Sequence, residues 1–119
     1  MEIPSNTIAV LRALIFAVPA GLSTDALAGG DPDKGRSLAQ GSVCTRCHGV
    51  DGNARSTSFQ VVPMLAGQPA AYLVQEMNNY ASGTRVDSSK NGQMAKELRL
   101  LNGTDFEDIA AYYEAQKRY

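Results

Sequence analysis

Two cysteines and a histidine occur within five residues of one another, as Cys44-Thr45-Arg46-Cys47-His48. The pattern Cys-x-x-Cys-His is the attachment site of c-type haem. Two cysteines three positions apart on a helical turn can each add to a vinyl group of the porphyrin, and the next residue then offers its imidazole to the iron. The motif therefore predicts one covalently bound haem c, attached through Cys44 and Cys47, with His48 as an iron ligand.

The same cysteines have three other interpretations. A thioredoxin-like redox motif needs a βαβ unit, but the chain shows no alternating strand pattern. A zinc site needs a fourth ligand, but the chain has 2 Cys and 1 His. A structural disulfide would fit an exported protein and stays open, although His48 directly after Cys47 favours haem.

Residues 1–28 have the composition of an export signal. Arg12 precedes an apolar stretch over residues 13–22, and Ala26-Leu27-Ala28 offers small residues to a signal peptidase. The stretch is shorter than the roughly 20 residues that a membrane-spanning helix needs. The alternatives are an uncleaved anchor and a buried helix. We expect a cleaved signal peptide, a mature domain over residues 29–119, a periplasmic location in a bacterium and no stable membrane insertion.

Size and charge limit the function classes. Removing 28 of the 119 residues leaves 91, which supports one domain. Domains of this size commonly depend on a disulfide, metal or cofactor for stability. The chain has 11 basic and 12 acidic residues, and loss of Glu2, Arg12 and Asp25 leaves ten of each. Without a basic excess, nucleic acid is not an expected partner.

Helix signals recur along residues 29–119. Asp31-Pro32 combines an N-cap residue with proline in the first turn, whereas residues 49–67 and 82–91 are rich in loop-forming residues. Apolar residues at helical spacing favour a middle helix and a last helix. The first predicted helix runs from Pro32 to Gln40 or Gly41, and the middle one from Pro69 to Ala81, where Gly83 ends it. A short helical turn is predicted from Gln93 to Leu100. The last helix begins at a capping box, Thr104–Glu107, and its apolar face carries Phe106, Ile109, Ala110 and Tyr113.

The second axial ligand of the iron must be another residue type, because His48 is the one histidine. Lysine, the N-terminus, water or no ligand are alternatives, but a thioether is a natural ligand that raises the reduction potential. Met1 leaves with the signal, Met64 follows the haem motif too closely, and Met77 belongs to an apolar helix face. Met94 is the favoured ligand, in a predicted loop just before the last helix.

Four motifs in this order resemble the class I cytochromes c, most closely the small bacterial cytochromes of the c4/c553 type. They are Gly30-Asp-Pro-Asp-Lys-Gly35, CTRCHGVDG at residues 44–52, PMLAGQ at residues 63–68 followed by Tyr72-Leu73, and DIAAYY at residues 108–113. The resemblance covers residues 30–119. It implies an all-α class I cytochrome c fold, with about four helices around one covalently bound haem.

The resemblance also implies roles for single residues. Pro63 matches a proline whose carbonyl accepts the ring N–H of the proximal histidine. Gly35 matches a small residue where the first and last helices cross, with Tyr112 or Tyr113 against it. Carried over in the same way are the thioether residues Cys44 and Cys47, the proximal ligand His48, the distal ligand Met94, and the pocket or core residues Leu65, Tyr72, Leu73, Leu98 and Ile109.

These features predict a periplasmic electron-transfer protein, not an enzyme, in which one His/Met-ligated haem passes single electrons between membrane or periplasmic oxidoreductases. The alternative is the haem subunit of a multisubunit dehydrogenase, such as a flavocytochrome c sulfide dehydrogenase. That subunit is similar in its Met94 spacing and at Asp105-Phe-Glu107. A haem enzyme or gas sensor is disfavoured, because no second histidine supplies acid–base catalysis. We expect a monomer or a subunit of a hetero-complex.

Overall fold

Residues 29–119 are described by a computed structural model. Within them the chain forms five α-helices, one 3₁₀ turn and no strand. The elements are α1 (Pro32–Gly41), α2 (Cys44–His48), α3 (Ala70–Ser82), the 3₁₀ turn Lys90–Gly92, α4 (Gln93–Leu98) and α5 (Gly103–Glu114). The predicted signal peptide, residues 1–28, lies outside the described residues. None of the described helices has the length and apolar character needed to span a membrane.

Helix α1 begins where the sequence predicts. The Asp31 side chain accepts hydrogen bonds from the backbone N–H groups of Asp33 at 2.9 Å and Lys34 at 3.2 Å, and Pro32 occupies the first position. The cap satisfies two donors that have no partner inside the helix. Its backbone is also fixed from α5, because the Asp31 N–H donates to the buried Asp108 carboxylate at 2.7 Å.

Helices α1 and α5 cross at Gly35, as the resemblance implies. A Cβ at this position would lie 1.8 Å from the Asp108 carbonyl oxygen and 2.9 Å from the Ile109 nitrogen. Both distances are below any real contact, so the missing side chain lets the two backbones touch. The expected neighbour is wrong: backbone atoms of Asp108 and Ile109, rather than the ring of Tyr112 or Tyr113, lie closest to Gly35.

The hydrophobic core lies between α1, α3 and α5. It is lined by small residues where helices approach and by aromatic residues from α5, with half-buried Cys44, Leu65 and Met77 packed against it. All four residues predicted for the apolar face of α5 are buried. The core residues are Ala39, Leu73, Ile109, Ala110, Tyr112 and Tyr113.

The capping box of α5 lies two residues earlier than predicted. Asn102, not Thr104, caps the helix: its side chain accepts from the Asp105 N–H at 3.0 Å, and the Asp105 carboxylate accepts from the Asn102 N–H at 3.0 Å. Asn102 and Asp105 each accept from the backbone N–H of the other, which is the arrangement expected of Thr104 and Glu107 two residues later. Asn102 and Asp105 have the spacing of a capping box as well, and this earlier box is the one that forms.

Helices α3 and α4 complete the fold and correct two expectations. Gly83 ends α3 in the left-handed conformation, with φ of 79°, as predicted. Tyr72 is 47% exposed and does not belong to the core, so a place in the haem pocket stays the prediction for it. Met94 lies in α4, which confirms the helical turn predicted from Gln93 but not the loop expected at Met94 itself. Helix α4 contacts α3 and buries Ala95 and Leu98, and this burial favours a helical turn over the predicted loop.

Candidate haem-binding site

The haem motif forms its own short helix. Backbone N–H groups of Arg46 and Cys47 donate to the Val43 carbonyl at 3.1 and 3.4 Å, and Gly49, with φ of 83°, ends α2. Both cysteines are free and half-buried, so the disulfide interpretation does not describe this structure. One helical turn therefore presents Cys44, Cys47 and His48 together, as covalent attachment requires.

The His48 ring is held by the carbonyl of Pro63. Its Nδ1 lies 3.0 Å from that oxygen, and the residue is 3% exposed. Because a carbonyl oxygen can only accept, Nδ1 donates, and Nε2 is left without a proton. Burial lowers the pKa of His48 more than the Pro63 carbonyl raises it, so the ring stays neutral. Neutral imidazole with a fixed Nδ1–H is the form that binds iron.

The first cysteine has a polar neighbour that the sequence analysis missed. The Ser42 hydroxyl donates to the Cys44 sulfur at 3.0 Å. Burial raises the pKa of the Cys44 thiol, the Ser42 hydrogen bond lowers it, and the charge of Glu97 on α4 raises it further. The net direction is upward, so the cysteine is held as a thiol. A serine two residues before the motif carries no sequence signal that separates it from any other loop serine.

We call residues 49–68 the proximal loop. The loop follows His48, contains Pro63 and ends before α3. The Gly52 carbonyl accepts from the N–H groups of Leu65 at 2.8 Å and Ala66 at 3.1 Å, which folds the loop back onto itself. Gly52 has φ of 76°, and a Cβ there would lie 2.7 Å from the Tyr113 ring. Only glycine fits both the backbone angle and the space.

The C-terminal residues bind the proximal loop. The buried Asn53 side chain donates to the Lys117 carbonyl at 2.8 Å and accepts from the Tyr119 N–H at 3.3 Å. The Tyr119 hydroxyl donates to Asp51 at 2.7 Å, and the Arg118 side chain donates to the Ala66 carbonyl at 3.1 Å. No local sequence pattern marks Asn53, because its partners lie 64 and 66 positions away.

Met94 is presented by a different element. It is half-buried on α4, and its N–H donates to the Ser89 hydroxyl at 3.1 Å. Helix α4 packs against α3, whereas α2 packs against α1, and within residues 29–119 no Cα atom of α2 lies within 8 Å of a Cα atom of α4. The structure therefore brings His48 and Pro63 together and keeps Met94 on a separate element.

The donor set fits an iron porphyrin. The described residues contain no group of three or more His, Cys, Asp or Glu side chains that could hold a metal ion alone. They do contain two free thiols, a neutral buried imidazole with one nitrogen available, and a methionine on a second element. Thiols for thioethers, with imidazole and thioether as axial ligands, are the donors that a c-type haem uses.

The Tyr113 hydroxyl is a polar atom in the hydrophobic core near Cys44. It packs in the same core as Cys44, and within residues 29–119 its hydroxyl is the one buried side-chain oxygen or nitrogen without a hydrogen-bond partner. Burial raises the pKa of Tyr113. The phenol therefore stays neutral, and it behaves as an aromatic wall rather than as an acid or base.

An all-helical domain with a Cys-x-x-Cys-His helix and a carbonyl-bound histidine defines a protein of the c-type haem class. The chain belongs to the cytochrome c family, whose model matches residues 32–116. Membership implies covalently bound haem c and a role in electron transfer.

Two relatives with curated names are similar to this chain. Cytochrome c4 of Stutzerimonas stutzeri is 35% identical in an alignment over 113 residues, gaps included. The alignment covers 91% of this chain and 50% of that protein. A thiosulfate dehydrogenase electron acceptor of the same species is 34% identical over 70 residues, which are 59% of this chain and 31% of that protein. The chain thus spans half the length of the first relative, or less in the second case.

A solved structure has the same fold. The crystal structure of reduced recombinant cytochrome c4 from Pseudomonas stutzeri matches with a TM-score of 0.59 and 34% sequence identity, over 76% of this chain and 47% of that chain. The all-helical class I cytochrome c fold expected from the sequence is confirmed.

Proposed function

We propose that this protein is a periplasmic electron carrier with a single His48/Met94-ligated haem c. The observation that carries the proposal is the His48 ring, which is buried and bound through Nδ1 to the Pro63 carbonyl. A histidine held this way has one nitrogen available, and its basicity is increased by the carbonyl. The export signal predicted over residues 1–28 supports a periplasmic location.

Each residue of the site has a holding or orienting task. Cys44 and Cys47 would hold the haem through thioethers, and His48 would bind the iron from α2. Pro63 orients the imidazole. Met94 would supply a thioether from α4. When bound, haem c supplies an iron that gains and loses one electron.

The protein residues favour electron exchange over bond chemistry. His48 of the motif and Asn53 of the proximal loop are buried polar residues. Each already has a hydrogen-bond partner: the Pro63 carbonyl for His48 and the Lys117 carbonyl for Asn53. Neither side chain is therefore free to act as an acid or base toward a substrate. His48 and Met94 would hold the iron as its two protein ligands and would leave no coordination position for a substrate.

The redox partners are proposed to be periplasmic or membrane oxidoreductases that meet this protein briefly. Contacts of this kind use small, weak interfaces. The similarity to a thiosulfate dehydrogenase electron acceptor favours an oxidoreductase as the electron donor. It also supports the second candidate, in which this chain is the cytochrome subunit of a dehydrogenase complex, as flavocytochrome c sulfide dehydrogenases have.

An anaerobic redox titration of the haem-loaded protein tests the carrier. We expect reversible oxidation and reduction with one electron per haem, one haem per chain, and no carbon monoxide binding to the reduced protein. Rapid carbon monoxide binding would contradict a Met94 ligand and favour a ligand-binding haem. Purification from the native host separates the two candidates: a free monomer supports the carrier, and a stable complex with a flavoprotein supports the subunit.

A further inference from the structure

The distal segment, residues 87–98, contains a left-handed turn just before α4. Asn91 (φ 58°, ψ 25°) and Gly92 (φ 65°, ψ 37°) adopt this conformation, which asparagine and glycine reach more readily than other residues. The helix that follows, α4, has six residues, too few to be stable alone in water. Contacts from outside the turn must therefore hold it.

The carboxylate of Asp87 provides such contacts. The N-cap residue of α4, Gly92, makes no side-chain capping bond. Instead, one oxygen of Asp87 accepts from the Ala95 N–H at 2.8 Å. The other oxygen accepts from the Ser89 N–H at 2.9 Å and from the Ser89 hydroxyl. Asp87 thus caps the helix from eight residues away.

Ser89 extends these contacts to Met94 itself. Its hydroxyl donates to Asp87 and accepts from the Met94 N–H at 3.1 Å. The amides of residues 94 and 95 are the second and third of α4, and both depend on Asp87, one directly and one through Ser89. Either amide would otherwise lack a partner, since the first N–H groups of a helix have none within it.

The hydrogen bonds fix what packing leaves adjustable. Ala95 and Leu98 are buried, and α4 contacts α3. Apolar burial is non-directional, so it can hold a short helix against a neighbour in several rotations. Hydrogen bonds to two consecutive amides depend on distance and angle, and they select one rotation. That rotation decides where the Met94 side chain points.

We propose that Asp87 is a positioning residue for Met94, which it holds in the ligating orientation through direct and Ser89-mediated hydrogen bonds to the start of α4. The proposal rests on the proposed function, since it assigns Asp87 to the Met94 ligand.

The test uses the haem-loaded protein and Asp87→Asn. Asparagine keeps the shape but turns one acceptor into an NH₂ donor, which then faces a backbone N–H. The readouts are the weak red band of the sulfur–ferric bond and the affinity of imidazole, which competes with Met94 for the iron. We expect a weaker band and imidazole binding about tenfold tighter or more, because a charge-assisted bond to the ligand's helix is lost.

Asp105→Asn is the matched control. It is the same substitution at another carboxylate that caps a helix, where it accepts from the Asn102 N–H of α5. It should lower the stability of the protein and leave the imidazole affinity within about twofold of the parent, since distant sites act independently. A merely structural role for Asp87 would give both variants the same behaviour.

Ser89→Ala is the milder variant if Asp87→Asn folds poorly. It removes the hydroxyl that accepts from the Met94 N–H and donates to Asp87, and it leaves the bond from the Ala95 N–H to Asp87 in place. It should therefore accelerate hydrogen exchange at the Met94 amide and tighten imidazole binding by a smaller factor. Parent-like imidazole affinity in both Asp87→Asn and Ser89→Ala would overturn the positioning role. If the sulfur–ferric band persists in Met94→Ala, the proposed ligand set is wrong, and the positioning role fails with it.

Discussion

On the His48 side of the site, the ligand and the group that orients it are joined by the proximal loop, which is bonded to the C-terminal residues at several points. On the Met94 side, a six-residue helix is held by its contact with α3 and by one carboxylate. The His48 ligand is also next to the two covalent attachment points. For the proposed ligand set, this comparison predicts that His48 stays bound to the iron and that Met94 can be exchanged.

The largest difference should appear when each axial ligand is removed. His48→Ala is expected to abolish the haem-loaded protein, because the residue lies inside the attachment motif. Met94→Ala should keep the covalent haem and lose only the sulfur–iron bond. Haem staining of the two variants on a denaturing gel measures this directly. Equal loss of covalent haem in both would remove the distinction between the two sides.

A substitution at the crossing of α1 and α5 should affect the His48 side and the Met94 side alike. Gly35→Ala places a methyl group on the Asp108 carbonyl, and overpacking of this kind costs about 3 kcal/mol. Urea unfolding of the haem-loaded protein gives the value.

Gly41→Ala provides the control for that change, since a Cβ at Gly41 meets nothing within 4 Å. Alanine at this end of α1 should change stability by less than about 1 kcal/mol, in the stabilising direction. Similar destabilisation by both substitutions would mean that the α1–α5 crossing is looser than described.

Loss of Asn53 should separate stability from ligand exchange. Asn53→Ala removes two bonds between the proximal loop and the C-terminal residues and leaves the Lys117 carbonyl unpaired, at a cost of about 1–3 kcal/mol. Imidazole affinity should stay at the parent value, because the Met94 side is untouched.

Asn78→Ala is the matched control for Asn53→Ala. Its exposed amide bonds only within α3, to the Val74 carbonyl at 2.9 Å, and its loss should cost less than about 0.5 kcal/mol. Tighter imidazole binding by the Asn53 variant would show that the two sides are coupled.

The smallest expected effect concerns acid. Hydrogen bonds from Tyr119 and from Asn53 hold the pKa of Asp51 below its usual range. A carboxyl group whose pKa is lowered by folding stabilises the protein above its unfolded pKa of about 3.9. That contribution disappears as the pH falls through the folded value. Tyr119→Phe should therefore lose less stability than the parent between pH 7 and about pH 3, as urea midpoints would show. Parallel pH profiles would contradict the Asp51–Tyr119 contribution.

Short-range sequence patterns predicted their own surroundings well. Asp31-Pro32 predicted the start of α1, Gly83 the end of α3, and the resemblance at Pro63 the carbonyl that binds His48. These features depend on residues within a few positions or on a motif in which the spacing is fixed. The cap of α5 failed by two residues, because Asn102–Asp105 and Thr104–Glu107 are both valid boxes and local pattern does not rank them.

Long-range polar contacts were not predictable. Asn53 binds Lys117, and Asp87 caps α4 across a left-handed turn. In the sequence both are ordinary loop residues, and nothing near them marks a partner. The sequence predicted both a helical turn from Gln93 and a loop at Met94, and it could not decide between them, because tertiary contacts with α3 and Asp87 stabilise a turn that the local sequence favours only weakly.

The most direct test of the account is the visible spectrum of the oxidised, haem-loaded protein, recorded for the parent and for Met94→Ala. The account predicts a low-spin spectrum with the weak red band of a sulfur–ferric bond in the parent, and loss of that band with covalent haem retained in the variant. A high-spin parent, or a band that persists in Met94→Ala, would contradict ligation by His48 and Met94.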